Sequence, residues 1–228
     1  DLHKAIRRQR QMCIRDSGKA YYVPGIGVDV KKISSMQVDR ATKRKELGIP
    51  EDAFAFLTVG ELIPRKGHEL LIRAFAKSNI SGVQLLICGS GREKEHLTAL
   101  IKELGISDRA HLLGFRNDIY ELLKCADTFV FPSKQEGLPV ALMEAMAAGL
   151  PCIASRIRGN VDLLPDSRYL FEASDECTLC QLMQDAVNGV QVDQECAQNK
   201  KALEQFDVKN VSECMRKVYT TVLEKSAV

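Results

Sequence analysis

The feature that most constrains this chain is an alternation. From Ala20 onward, short apolar runs of β-type residues end in Gly or Pro, and each is followed by a stretch whose apolar positions recur at helical spacing. The runs FAFLTVG and VQLLICG are apolar at almost every position rather than every second one, the pattern of strands covered by helices on both faces. Strands are expected at 21–23, 53–59, 83–88, 110–113, 128–131, 152–154 and 169–171. Helices are expected at 43–47, 68–77, 92–104, 119–125, 139–148 and 176–188, then at 195–206 and 208–225. A βαβα order predicts an α/β fold, a doubly wound parallel sheet of Rossmann-like type with right-handed crossovers, finished by C-terminal helices.

Charge and cysteine usage narrow the function classes. The formal net charge is +2, but the first nineteen residues hold six Lys/Arg against two Asp/Glu, leaving 26 basic and 28 acidic groups for the rest. A near-neutral body offers no clustered field to attract nucleic acid or an anionic membrane. Residues 1–19 are expected to form a poorly ordered or non-native tail, and 20–228 a single domain. Eight scattered cysteines, several inside apolar runs, read as reduced thiols acting as small hydrophobes. Cys177 and Cys180 make a C-x-x-C without a second pair or a His at metal spacing, so no metal is expected. No apolar run approaches the ~20 residues of a membrane span. A cytoplasmic place is expected, with peripheral attachment to the inner membrane face in a full-length protein.

In an open parallel sheet, ligands bind beyond the carboxyl ends of the strands, which directs attention to four loops. Gly60-Glu61-Leu62-Ile63-Pro64-Arg65-Lys66-Gly67 sets two cations at the start of a helix, where the macrodipole favours anions, so a negative group is expected beside them. Arg65 offers a planar fork and Lys66 a point charge, a pair suited to a diphosphate, although a solvated basic turn is the commoner reading of such a loop taken alone. Gly89-Ser90-Gly91 opens the next helix with backbone a ligand can approach, or simply turns the chain. Lys94 stands where the third Gly of a dinucleotide-binding pattern belongs, which counts against NAD. Gly114-Phe115-Arg116-Asn117-Asp118 presents backbone to a heterocycle edge, or is a capped turn. The fourth loop, Pro132–Val140, places Glu136 before a helix and Glu144 inside it. That helix is otherwise apolar nearly all round, so Glu144 needs partners, and a ribose diol supplies two hydroxyl donors.

GELIPRKGHELLIRAFA, LLICGSG, LLGFRNDIYELLKCADTFVFPS and EGLPVALMEAMAAGLPCIASRIRGNVDLL, in that order, resemble the C-terminal, donor-binding domain of family-four retaining glycosyltransferases, one half of a GT-B fold, including bacterial exopolysaccharide and capsule enzymes. The resemblance covers about residues 20 to 225, and its most specific element is the E-x7-E pair Glu136 and Glu144. It implies that Arg65 and Lys66 neutralise a nucleotide diphosphate, that Glu144 holds the ribose hydroxyls, and that Glu136 lies near the transferred sugar. It also implies that the backbone of Gly137, Leu138 and Val140 faces sugar and phosphate, and that Phe115 and Arg116 meet the base. Gly60, Gly89, Gly91 and Ser133 complete the implied donor-binding set. Gly27-Val28-Asp29 resembles the segment leading into the domain from an interdomain linker. Asp162 stands where the family's later G-x-x-E motif has Glu, and its role is left open.

The implied reaction transfers a hexosyl group, with retention, from a nucleotide diphosphate sugar of the UDP-sugar class to a saccharide or lipid-linked acceptor. It needs no cofactor beyond the donor and no metal. Family members hold the acceptor in an N-terminal domain that this chain lacks, so the chain is expected to be inactive alone. Competing readings are a non-catalytic sugar-nucleotide-binding subunit completed by a separate chain, and an epimerase or phosphorylase half on the same fold.

Overall fold

The computed structural model describes residues 25–165 and 167–226. The expected tail and the expected strand at 21–23 lie outside those residues. In chain order the elements are α1 (Val30–Ser34), α2 (Arg40–Glu46), β1 (Phe54–Val59), α3 (His68–Ser78), β2 (Val83–Cys88), α4 (Lys94–Glu103), β3 (Ala110–Gly114), α5 (Ile119–Cys125), β4 (Thr128–Phe131), α6 (Val140–Ala148), β5 (Cys152–Ser155), α7 (Arg158–Val161), β6 (Leu170–Phe171), α8 (Glu176–Val187), α9 (Val192–Leu203) and α10 (Val208–Ser226). The strands form one sheet in the order β3-β2-β1-β4-β5-β6. Every pairing is parallel, with Phe54 opposite Val83, Phe56 opposite Thr128 and Phe129 opposite Cys152.

Period-two alternation divides the core between the two faces of this sheet. Leu57, Leu86, Cys88, Phe129, Phe131, Cys152 and Ala154 point to one face, where α5, α6 and α9 supply Leu122, Leu142, Met143 and Leu203. Phe56, Leu85, Ile87, Val130 and Ile153 point to the other, where α3, α4 and α8 supply Leu71, Phe75, Leu97 and Met183. Each fully buried Leu, Ile, Val, Phe or Met among them contributes about 1.5–3 kcal/mol of transfer free energy. Two-sided burial therefore accounts for the near-continuous apolar runs.

Boundaries depart from the sequence expectation where caps act. Helix α2 begins three residues early because Asp39 accepts the Thr42 amide hydrogen at 3.1 Å. Helix α4 begins late because the Glu93 and Lys94 amides donate to Leu62 O and Gly91 O, closing a turn first. Helix α9 also starts early, at Val192, and its expected last residues form a separate 3-10 turn over Glu204–Phe206. The short α1 and α7 depart from expectation too, since neither is long enough to display a helical period. At the entrance, Val28 exchanges hydrogen bonds with Phe206 O and the Val208 amide, tying the first described residues to the start of α10.

Among the described cysteines, Cys88, Cys125 and Cys152 are buried, whereas Cys177 is exposed and Cys180, Cys196 and Cys214 are intermediate. Burial pushes the Cys88 thiol up to about 12, consistent with an inert packing role. No helix of the described residues is long and apolar enough to cross a membrane.

Candidate functional site

The strand order reverses between β1 and β4, which makes the carboxyl ends of these two strands the topological switch point of the sheet. The loops carrying the predicted cations and acids leave from there. They are joined along their backbones: the Lys134 amide donates to Arg65 O at 2.7 Å, and a β-carbon on Gly67 would lie 2.1 Å from Pro132 O. Residues Pro64–Lys66 form a 3-10 turn, and Gly67 leads into α3.

This junction brings Lys66 against Glu136, with Nζ 2.6 Å from Oε1. The side chains are 15% and 9% exposed, and Lys66 Nζ also lies 5.5 Å from the centre of the Phe131 ring. The Glu136 carboxylate thus stands beside the cation that the sequence marks for a diphosphate. Arg65 is exposed and reaches Gln135 O at 3.4 Å. An ion pair held this far from water adds little net stability, because desolvation offsets most of the attraction. What it does supply is a pre-positioned cation and a pre-positioned acceptor of hydroxyl hydrogens, side by side.

Glu144 lies on α6, a helix whose Leu142, Met143, Ala145 and Met146 are buried. Its carboxylate accepts from Tyr120 Oη at 3.2 Å, and burial raises its pKa above the ordinary carboxylate value while that hydrogen bond pulls it down. It makes no hydrogen bond to Arg65, Lys66 or Glu136.

The tips of β1, β2 and β3 enclose a hollow of about 340 Å³ lined by Gly60, Glu61, Gly89, Ser90, Phe115 and Arg116, among others. Phe115 is 74% exposed at its lip. The Arg116 guanidinium is forked onto Asp118 and reaches Glu46 at 3.1 Å, so it is held as a fixed cation. Asp118 in turn takes Lys43 at 2.6 Å, and the Arg116 partner, then Lys43, holds the Asp118 carboxyl well below the usual range. Two other hollows, one beside Arg73 and Lys134 and one between 163–167 and α9, contain neither Glu136 nor Glu144.

The fold defines the surroundings of three of the expected site groups. The backbone of Gly89 and Gly91 packs tightly on the neighbouring chain, since added β-carbons would lie 1.8 Å from Gly60 O and 2.4 Å from Leu62 O, and Gly89 also lines the hollow. The Val140 amide is committed to Leu138 O at 3.0 Å, because the chain doubles back at Pro139 before α6. Arg116 lines the hollow while its guanidinium pairs with Asp118 and Glu46. Gly137 and Leu138 remain at the mouth of the Glu136 loop, both partly exposed. Ser133 is 1% exposed; its carbonyl accepts from Ser155 Oγ, and its own hydroxyl has no partner among the described residues. Asp162 follows α7 and is exposed.

Sequence reasoning missed Tyr120, Phe131 and the bracket behind Ser133, in which Asn160 Nδ2 donates to Ser155 O at 2.9 Å. Tyr120 and Phe131 occupy ordinary positions of a helix and a strand and carry no local signal. Asn160 sits beside a glycine in the segment that draws attention for Asp162. Among the described residues, no group of three or more His, Cys, Asp or Glu is placed to hold a metal ion.

Residues 39–203 match the family described as Glycosyl transferases group 1. The chain is 34% identical over 177 residues to a UDP-Gal:alpha-D-GlcNAc-diphosphoundecaprenol alpha-1,3-galactosyltransferase of Escherichia coli, covering 73% of this chain and 46% of that one. Among solved structures it is similar to Anabaena Alr3699/HepE in complex with UDP, with a TM-score of 0.78, 23% identity, and 86% of this chain and 56% of the other covered. It is also similar to a sucrose-phosphate synthase (tll1590) from Thermosynechococcus elongatus, with a TM-score of 0.79, 24% identity, and coverage of 98% and 57%. These structural likenesses show a GT-B glycosyltransferase fold. The chain spans about half the length of the curated relatives it matches.

Proposed function

We propose, from the premise that this chain belongs to the glycosyl transferases group 1 family, that it is the donor-binding half of a retaining hexosyltransferase of the exopolysaccharide or capsule type that uses a UDP-sugar. The observation that carries this reading is the convergence of Lys66 and Glu136 at the switch point. A donor diphosphate placed there meets Lys66 and the exposed Arg65, while Glu136 accepts from hydroxyls of the sugar attached to it. Glu144 holds the ribose diol, and the hollow behind Phe115 takes the base. The UDP seen in a structurally similar protein supports this choice of nucleotide.

In the transfer, the bond between the anomeric carbon and the diphosphate oxygen breaks, a bond to the acceptor oxygen forms on the same face, and the acceptor hydroxyl's proton passes to the departing diphosphate. Negative charge grows on the departing diphosphate, and fixed cations in a site of low polarity stabilise it without reorganisation. Glu136 orients sugar hydroxyls and forms no covalent adduct. The acceptor, a saccharide or lipid-linked saccharide, meets the donor across a cleft closed by a further domain, so residues 1–228 alone bind donor and transfer little.

Calorimetric titration of the chain with UDP, GDP and ADP, paired with a transfer assay, tests this. Selective UDP binding with negligible turnover is the expected result. Equal affinity for all three nucleotides, or robust turnover by 1–228, contradicts it.

A further inference from the structure

The carboxylate proposed to hold the ribose has one hydrogen-bond donor among the described residues, and no local pattern in the sequence singles that donor out. Tyr120 Oη donates to Glu144 Oε1 at 3.2 Å across the α5–α6 contact. The ring is held from its other side: Lys32 Nζ lies 5.7 Å from its centroid, reaching over from α1, which itself packs on α6. Tyr120 directly follows Ile119, which lines the hollow at the tips of β1, β2 and β3.

We infer that Tyr120 is a positioning residue for nucleotide recognition, one that fixes Glu144 for the ribose hydroxyls; this rests on the donor-site reading above. A glutamate has three rotatable bonds, and an unheld carboxylate on α6 has to be ordered anew each time a nucleotide binds. The phenol occupies one lone pair of Oε1. It leaves Oε2 and the second lone pair of Oε1 to accept from the two ribose hydroxyls, so both bonds form without displacing it. It also favours the ionised carboxylate, which accepts from hydroxyls better than the neutral acid, against burial that favours the neutral form. Around this pair stand Lys32 and Asp29 at the α1 end and Tyr120 on α5. After burial, Glu144 and Asp29 both raise the Tyr120 pKa, so the phenol stays protonated as a donor.

The test is calorimetric titration of residues 1–228 and of the Tyr120→Phe variant with UDP and with 2′-deoxy-UDP. Phe keeps the ring, its packing and its contact with Lys32, and removes only the hydroxyl. UDP affinity is expected to fall on the order of fivefold in Tyr120→Phe, the size of one ordinary net hydrogen bond. The penalty for the missing 2′-hydroxyl is expected to shrink by a similar factor. The acid limb of UDP binding moves to higher pH in the variant, since Glu144 loses the hydrogen bond that lowers its pKa. Unchanged UDP affinity in the variant, or an equal 2′-deoxy penalty in both proteins, overturns the inference and leaves the donor-site reading standing. A wild-type chain that binds UDP and 2′-deoxy-UDP alike overturns the ribose role of Glu144 itself, and the inference falls with it.

Discussion

Replacing Glu136 with Gln keeps the shape of the side chain and removes its charge from the 2.6 Å contact with Lys66. Without a ligand, that carboxylate occupies the ammonium that the diphosphate is proposed to use, and it also repels an incoming phosphate. Coulomb's law at this separation gives about 6 kcal/mol at an effective dielectric constant of about 20 and about 1.6 kcal/mol in bulk water. The pair lies toward the first figure, with side chains 15% and 9% exposed. Desolvation of the freed ammonium and the remaining attraction of the Gln carbonyl cancel most of this. A residual of about 1 kcal/mol corresponds to roughly fivefold tighter binding. Glu136→Gln is therefore expected to bind UDP more tightly than wild type, read by calorimetry at low ionic strength. The gain should be smaller for a UDP-sugar, whose hydroxyls lose an ionised acceptor. Weaker UDP binding by Glu136→Gln would refute the claim that Lys66 meets the diphosphate in competition with Glu136.

Two further outcomes concern buried polar groups away from that pair. Arg44 is 3% exposed and donates to Cys125 O, Glu51 O, Ala53 O and Asp127 Oδ2, so Arg44→Met strands these acceptors; urea unfolding should show a loss of about 3–5 kcal/mol with UDP affinity of the folded protein unchanged. His68 is 3% exposed and neither ring nitrogen completes a hydrogen bond of ordinary geometry among the described residues. Burial, partly offset by the backbone at Glu61 and reinforced by nearby Lys66, depresses its pKa from 6.5 to about 4. Its neutral form is thus the one that folds. The associated stability is complete above pH 6.5 and falls on the order of 3 kcal/mol as pH drops toward 4, so His68→Leu should flatten the stability profile in that window; identical profiles would contradict this.

The architecture was legible because two-sided burial leaves an unmistakable trace: every residue of VQLLIC is buried, and its expected bounds coincide with β2. Ends governed by one side chain were harder to place, as at Asp39, where the cap sits outside the apolar period that announces the helix. The meeting of the Lys66 and Glu136 loops was legible from their place after β1 and β4, the strands on either side of the switch point. The close approach of Gly89 and Gly91 to Gly60 O and Leu62 O was not legible, because a sequence cannot say which carbonyls a bared backbone will meet. Nor were the partners of Arg116, since Asp118 and Glu46 include one seventy residues away in the chain. Residues such as Tyr120 and Asn160 act through contacts that exist only once helices are packed.

The most direct measurement is a crystal structure of residues 1–228 soaked with UDP. Diphosphate oxygens are predicted on Lys66 Nζ, ribose hydroxyls on Glu144 and the uracil ring in the hollow beside Phe115. UDP bound elsewhere on the sheet, with the Lys66–Glu136 contact unchanged and Glu144 touching only Tyr120, would contradict the donor-site assignment.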